Sequence, residues 1–229
     1  MISLLVCLFT LGLFHFTREI HKRHPTPLLN PVLMSISMVA LLLVTTKVNY
    51  NDYYLASMPI SFLLEPAIVA LAYPLYAQFN AIRPVLTMLT FSAFIGISFS
   101  TTLAYTLCIL FQAEPQLVAS LMALSVTTPI TLLITDMLGG LPSIAAAMVI
   151  LIGIFGSVFG LGLLQMCQVT APQAKGIALG VSCHAIGTAT AMEYHPQAGA
   201  FASAAMIISA IISAFWVPVL FTILSNLSG

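Results

Sequence analysis

The sequence predicts an all-α polytopic membrane protein with about six to eight transmembrane helices, two of them interrupted or re-entrant. Three observations carry this expectation. Of the 229 residues, 60% are hydrophobic and only 5% are charged, whereas soluble domains carry about 25% charged residues. The apolar residues collect in stretches of the length that crosses about 30 Å of hydrocarbon as a helix, roughly 20 residues each. The stretches are also apolar on every face, without the alternation that a membrane β-barrel requires. Little sequence remains for a soluble domain. A formal charge of zero, with no Lys/Arg cluster beyond the first loop, removes the electrostatic footprint of a nucleic-acid binder.

The expected segments are 1–17, 28–46, 59–77, 84–111, 116–134, 142–168, 175–192 and 200–226. The first lacks a cationic leader and a small-residue cleavage site, and so reads as a retained helix rather than a signal peptide. Arg18, Lys22 and Arg23 place the first loop on the cytoplasmic side by the positive-inside rule. Lys47 and Asp52 then fall in an outer loop and Arg83 in an inner one. A re-entrant 116–134 moves Lys175 inside and improves the charge bias. Cys7, Cys108, Cys167 and Cys183 stand apart from one another, and read as small buried apolar residues rather than metal or redox ligands.

The chain carries an internal echo, with the long stretches 84–111, 142–168 and 200–226 recurring at an offset of 58. Ala145 to Ile150 lines up with Ser203 to Ile208 at an offset of 58. Ser125 to Thr131 lines up with Ser182 to Thr188 at an offset of 57, sharing first and last residues. Two units result, about 116–168 and 175–226, each an interrupted hydroxyl-rich segment followed by a long helix. If each interrupted segment is a hairpin, one unit crosses the bilayer once, and the two copies are inverted. Inverted repeats with broken helices meeting at the midplane are an architecture of secondary transporters.

Several residues could carry chemistry. Pro129 removes a backbone donor within Ser125-Val126-Thr127-Thr128-Pro129. Freed carbonyls there, with the hydroxyls of Ser125, Thr127 and Thr128, could bind a solute or a sodium ion. The alternative is a kink whose hydroxyls cap their own helix. In 175–192, Gly180 and Gly187 bracket a tip carrying Ser182, His184 and Thr188. Helix N-termini at such a break favour anions, and a histidine there can move a proton. Glu65-Pro66 is either an intramembrane proton carrier or an acidic residue before a proline at a helix start. Pro66, Pro129, Gly180 and Gly187 are thus the expected helix breaks.

Gly156 and Gly160 form a GxxxG pair suited to helix packing, whereas Asp136, Glu193 and His195 read as loop residues. No nucleotide loop, catalytic triad or metal cluster appears. The expectation is a protein that is not an enzyme and has no cofactor beyond a coupling proton or sodium ion.

Taken in order, Pro27-Leu28-Leu29-Asn30-Pro31, the Pro66 to Tyr76 run, Ser125 to Ile130, Gly139-Gly140-Leu141-Pro142, His184 to Ala189 and Gly199 to Ser203 resemble the LrgB/CidB membrane protein family, including its YohK-type members. The resemblance spans nearly the whole chain, as a single membrane domain over 1–229. It implies a multi-pass protein of the bacterial inner membrane, acting as a holin- or antiholin-like modulator of murein hydrolase export and autolysis with a small LrgA/CidA-type partner. The family is also similar to the membrane domain of the plastid glycolate/glycerate transporter, which implies translocation of small carboxylates of glycolate or pyruvate size. Leu124 and Thr190 depart from the pattern, standing where a lysine and an arginine are expected, and Glu65 replaces a neutral residue. The site implied by the resemblance is Ser125, Thr127, Thr128, Ser182, His184 and Thr188, with Glu65 or His184 coupling a proton. The expected partners are the bilayer, a small carboxylate, the small membrane protein and further copies of the chain.

Overall fold

The structure, a computed structural model, describes residues 2–24, 29, 31–63, 66, 69–70, 72–77 and 79–228. Every regular element among them is a helix, as the composition requires. Four helical stretches are long and apolar enough to cross a membrane: Ile2–Arg23, Phe79–Leu110, Pro142–Met166 and Pro196–Leu227. Pro31–Thr46 is a shorter apolar helix. The chain forms two compact units, residues 1–72 and 73–229.

The first unit holds α1 (Ile2–Arg23), α2 (Pro31–Thr46) and α3 (Tyr50–Phe62). Hydroxyls tie α1 to the other two. Thr17 Oγ1 lies 2.9 Å from Ser35 Oγ, Thr10 Oγ1 lies 3.0 Å from Tyr53 Oη, and Ser3 Oγ donates to Ala56 O at 2.6 Å. In a bilayer such contacts join helices that have no hydrophobic reason to associate. The expected segment 59–77 is not one helix. A helix begins nine residues earlier, because Asn49 Oδ1 accepts the Asn51 N–H at 2.9 Å and Asp52 sits in its first turn. That start places Asp52 in a helix rather than in a loop, and both features are favourable at an N-terminus.

The second unit begins with α4 (Ala72–Ala77), α5 (Phe79–Ile82) and a 3-10 turn (Arg83–Val85) that lead into α6 (Leu86–Leu110). There follow α7 (Pro115–Ser120), α8 (Thr128–Met137), α9 (Pro142–Met166), α10 (Pro172–Tyr194) and α11 (Pro196–Ser228). Pro115, Pro142, Pro172 and Pro196 each open a helix, where the missing N–H costs nothing and the fixed φ is already helical.

Both interrupted segments fold back on themselves. In α10, His184 leaves helical geometry at φ 44° and ψ −133°. An unbroken helix would hold Lys175 and Tyr194 about 28 Å apart, yet Lys175 Nζ donates to Tyr194 Oη at 3.0 Å. A methyl built on Gly187 would lie 2.5 Å from the Leu179 carbonyl oxygen. The limbs 172–183 and 185–194 therefore run antiparallel. The α7–α8 pair closes in the same way, with Leu141 N donating to Ser120 Oγ at 2.6 Å. Gly140 packs so tightly there that a Cβ would meet Ser120 N at 2.7 Å and Thr135 Cγ2 at 2.8 Å. The first hairpin joins the N-terminal end of α9 and the second joins its C-terminal end.

The recurrence of α6 in α9 also shows at their ends. Helices α6 and α9 are both 25 residues long. Each ends on a left-handed glutamine, Gln112 (φ 53°) and Gln168 (φ 59°). Ala113 N then closes on Cys108 O at 2.8 Å, and Val169 N on Leu164 O at 2.9 Å, the reversed bond of a Schellman cap. A proline-started hairpin follows both, at Pro115 and Pro172.

Small residues let α10 approach its neighbours. A Cβ on Gly176 would collide with the Ala198 carbonyl, and one on Gly180 with the Ala202 carbonyl, both on α11. On α9, Gly156 faces Cys183 and Gly160 faces Leu179, so the GxxxG pair is spent on packing within the chain. Cys7, Cys108 and Cys183 are buried, but Cys167 is exposed. It is the C-cap residue of α9.

Candidate functional site

At the first hairpin the chain unwinds between Ser120 and Thr128. Pro129 lies in the first turn of α8 rather than kinking a continuous helix. Thr127 is the N-cap residue in extended geometry, but its side chain caps nothing. The opening N–H groups of α8 thus lack intrahelical acceptors and carry the positive end of its dipole. Thr127 is buried and Thr128 half-buried beside them.

Three of the carbonyls around Ser125 that were expected to be free are paired within the chain. Thr131 Oγ1 donates to Ala123 O at 2.7 Å and to Val126 O at 3.3 Å, and Thr101 Oγ1 donates to Met122 O at 3.1 Å. Buried backbone acceptors are costly to leave unpaired, and these two threonines pair them. Ser125 Oγ lies 2.6 Å from Ser100 Oγ on α6. Leu124, in the position expected to hold a lysine, is buried.

At the second hairpin the break falls on His184 itself. Gly180 and Gly187 are not the break; they sit inside the limbs, where their missing side chains admit α11 and the opposing limb. His184 is 3% exposed, with Nε2 3.0 Å from Val149 O on α9. A carbonyl only accepts, so Nε2 carries the hydrogen. A Cβ on Gly153 would lie 2.8 Å from His184 Cε1, which leaves the ring its space. A non-glycine residue held at this φ and ψ stores backbone strain of about 1–3 kcal/mol. Ser182 is exposed and donates to Ala178 O at 2.7 Å. Thr188 lies a turn inside the second limb, fully buried, with Oγ1 3.8 Å from Met206 Sδ. It is a packing hydroxyl, away from the tip. Thr190, in the position expected to hold an arginine, donates to Ser157 Oγ at 2.8 Å.

The two tips meet α6 at nearly one level. Ser100 and Thr101 hold the first tip, while a Cβ on Gly96 would lie 2.8 Å from Val181 Cγ1 beside the second. Gly96 to Thr101 spans about 7.5 Å of helix, near the middle of Leu86–Leu110. His184 reaches the middle of α9 in the same way, through Val149 and Gly153. Ile212 of α11 packs against the apolar clusters of both tips.

Two grooves flank the first limb of the second hairpin. One, of about 370 Å³, runs between that limb and α6 past Met88, Ser92, Gly96, Ala174, Ile177 and Ser182. The other, of about 320 Å³, lies against α9 at Phe155, Gly156 and Gly160. Ala178 and Ser182 border both. Of the expected site residues, Ser182 lines both of these grooves. Glu65 lies outside the described residues; Pro66 is helical and exposed. Among the described residues no three His, Cys, Asp or Glu side chains gather as a metal site.

Sequence reasoning missed Thr101, Thr131 and Ser100, the hydroxyls that hold the first tip. Thr131 had left a signal, since it matches Thr188 in the repeat. Nothing in the sequence pairs Lys175 with Tyr194 before the hairpin is known.

The pattern of the LrgB-like family matches residues 10–223. The chain is 32% identical to the "Holin-like protein CidB" of Staphylococcus epidermidis over 218 residues, covering 95% of both chains. It is 30% identical to the protein of the same name from Staphylococcus aureus, with the same coverage. It is 31% identical to the uncharacterized protein YxaC of Bacillus subtilis over 217 residues, 95% of this chain and 94% of that one. No solved structure matches it. With the matched pattern spanning nearly every helix described above, this multi-pass membrane protein belongs to the LrgB-like family.

Proposed function

We propose that the chain is a secondary permease of the bacterial inner membrane that moves small organic acids, of glycolate or pyruvate size, by alternating access. The observation that carries the reading is the pair of helical hairpins. They hang from opposite ends of α9 and bring their tips to the middle of α6. If α9 crosses the bilayer, they enter from opposite faces, and the first tip offers at depth a helix N-terminus without a side-chain cap. Irregular backbone at membrane depth is tolerated only where it is covered by protein or lines a watery cavity.

In this reading Ser182, Thr127, Thr128 and the opening N–H groups of the second limbs bind the carboxyl group. Ser125 supports the first tip through Ser100, and Thr188 packs the second limb against α11. Glu65 and His184 are the titratable candidates for coupling a proton, and sodium is the alternative ion. The test is uptake of labelled glycolate, lactate and pyruvate into proteoliposomes. Thr128→Ala and Ser182→Ala should reduce it at least tenfold while the protein stays folded.

The names of the staphylococcal relatives favour a second reading. Here the chain is a holin-like modulator of autolysis, and the hairpins form a contact surface for a small LrgA/CidA-type membrane protein. Undiminished lysis control by a Thr128→Ala, Ser182→Ala double variant, with no uptake of any acid by the unaltered protein, would favour this reading.

A further inference from the structure

We propose that the solute passes the tips as the undissociated acid, carrying its own proton, along the groove between α6 and the first limb of the second hairpin. This rests on the permease reading and specifies the form of its substrate.

The chain has six cations, Arg18, Lys22, Arg23, Lys47, Arg83 and Lys175, and none lies between positions 83 and 175. In the second unit every Asp, Glu, Lys and Arg stands at the end of an element. Arg83 precedes α6, Glu114 caps α7, Asp136 is in the last turn of α8, and Lys175 and Glu193 lie near the two ends of α10. Lys175 is 7% exposed, and its ammonium is spent on Tyr194, both on the hydroxyl and 4.6 Å over the ring. Between these ends the groove offers the hydroxyls of Ser92 and Ser182 against an otherwise apolar wall of Met88, Ile177 and Val181.

Among the described residues that line this groove there is no Lys, Arg or His to neutralise an anion, and His184, two residues from Ser182, turns its Nε2 to Val149 O on α9. Partial charges at helix ends are modest, and an isolated carboxylate in an apolar interior usually neutralises instead. A carboxylic acid of ordinary pKa, about 3.9, is undissociated to roughly one part in a thousand at pH 7, equivalent to about 4 kcal/mol. That cost is smaller than burying the bare charge. The neutral acid also matches the groups present. Its O–H donates to a serine oxygen, and its carbonyl accepts a hydroxyl or an opening N–H. Each acid that crosses takes one proton from one side and releases it on the other, so no net charge moves.

The experiment measures protein-dependent uptake of labelled glycolate into proteoliposomes at fixed total concentration from pH 5.5 to 7.5, with protein-free vesicles subtracted. The expected result is a fall of about tenfold per pH unit, insensitive to an imposed potassium diffusion potential. Glycolamide, neutral throughout, should compete at pH 7.5, and Ser92→Trp, which fills the groove, should abolish uptake by a protein that melts like the unaltered one. Uptake that is flat with pH, that follows the potential, or that ignores glycolamide overturns the neutral form and leaves the permease standing. Normal uptake by Ser92→Trp overturns the route. No protein-dependent uptake of any small acid at any pH overturns the permease reading, and this inference with it.

Discussion

Replacing Thr131 by valine removes one hydroxyl and leaves the shape of the side chain almost unchanged. In the folded protein that hydroxyl is fully buried and serves Ala123 O at 2.7 Å and Val126 O at 3.3 Å. The longer contact is weak, so the loss amounts to one good hydrogen bond and one poor one. Leaving a buried acceptor unsatisfied costs about 1–3 kcal/mol. Hydrogen bonds between membrane segments measure lower, averaging about 0.6 and reaching about 1.7 kcal/mol, because the unfolded state in the bilayer finds other partners. The freed carbonyls sit in an unwound turn without helical neighbours to take them up, which places Thr131→Val at the upper end, about 1.5 kcal/mol. Thr90 is the control, since its exposed hydroxyl bonds only Leu86 O in its own helix. Thr90→Val should cost under about 0.5 kcal/mol. Steric trapping or denaturant unfolding in bicelles would read both. Equal losses in the two variants would refute the claim that Thr131 holds the first tip.

Four other outcomes follow from the same geometry. Gly180→Val should prevent α10 from seating against the Ala202 carbonyl and lower folded yield severely, whereas Gly162→Ala, with open space around it, should gain about 0.5–1 kcal/mol; thermal scans in detergent distinguish them. His184→Gly should be more stable than His184→Ala by about 1 kcal/mol, because only glycine takes φ 44° without strain, although both lose the contact to Val149. A double-mutant cycle of Lys175→Met and Tyr194→Phe should give a coupling of about 0.5–2 kcal/mol; zero coupling would argue against the closed second hairpin. In native membranes a maleimide should modify Cys167 quickly and leave Cys7, Cys108 and Cys183 unmodified until denaturation.

Much of the fold was legible because the bilayer leaves few choices. The proline at the start of each of α7, α9, α10 and α11 marks its boundary within a few residues of the expected one, and the serine-threonine run before Pro129 marks an interruption. The hairpins themselves were inferred from charge bias and repetition, not from local pattern. Helix and hairpin have the same composition, and they are separated by the backbone at His184 and by contacts between the limbs such as that of Lys175 with Tyr194. The start of α3 was missed because Asn49 and Asp52 look like loop residues until the capping bond is seen. Gly180 and Gly187 read as helix breaks, although their role is set by the Ala202 carbonyl on another helix and by the Leu179 carbonyl on the opposing limb. At the candidate site, the carbonyls near Ser125 appeared free for the same reason. The donors that pair them come from Thr101, more than 20 residues away, and from Thr131 across the turn.

The limb 172–183 is a wall shared by two chambers, since Ala178 and Ser182 border the groove on either side of it. A partition of fixed thickness cannot widen both at once. Tilting it towards α6 narrows that passage and enlarges the one against α9, and the return stroke does the opposite. With Ser182 near the tip of that limb, such a tilt would carry one hydroxyl from one groove to the other.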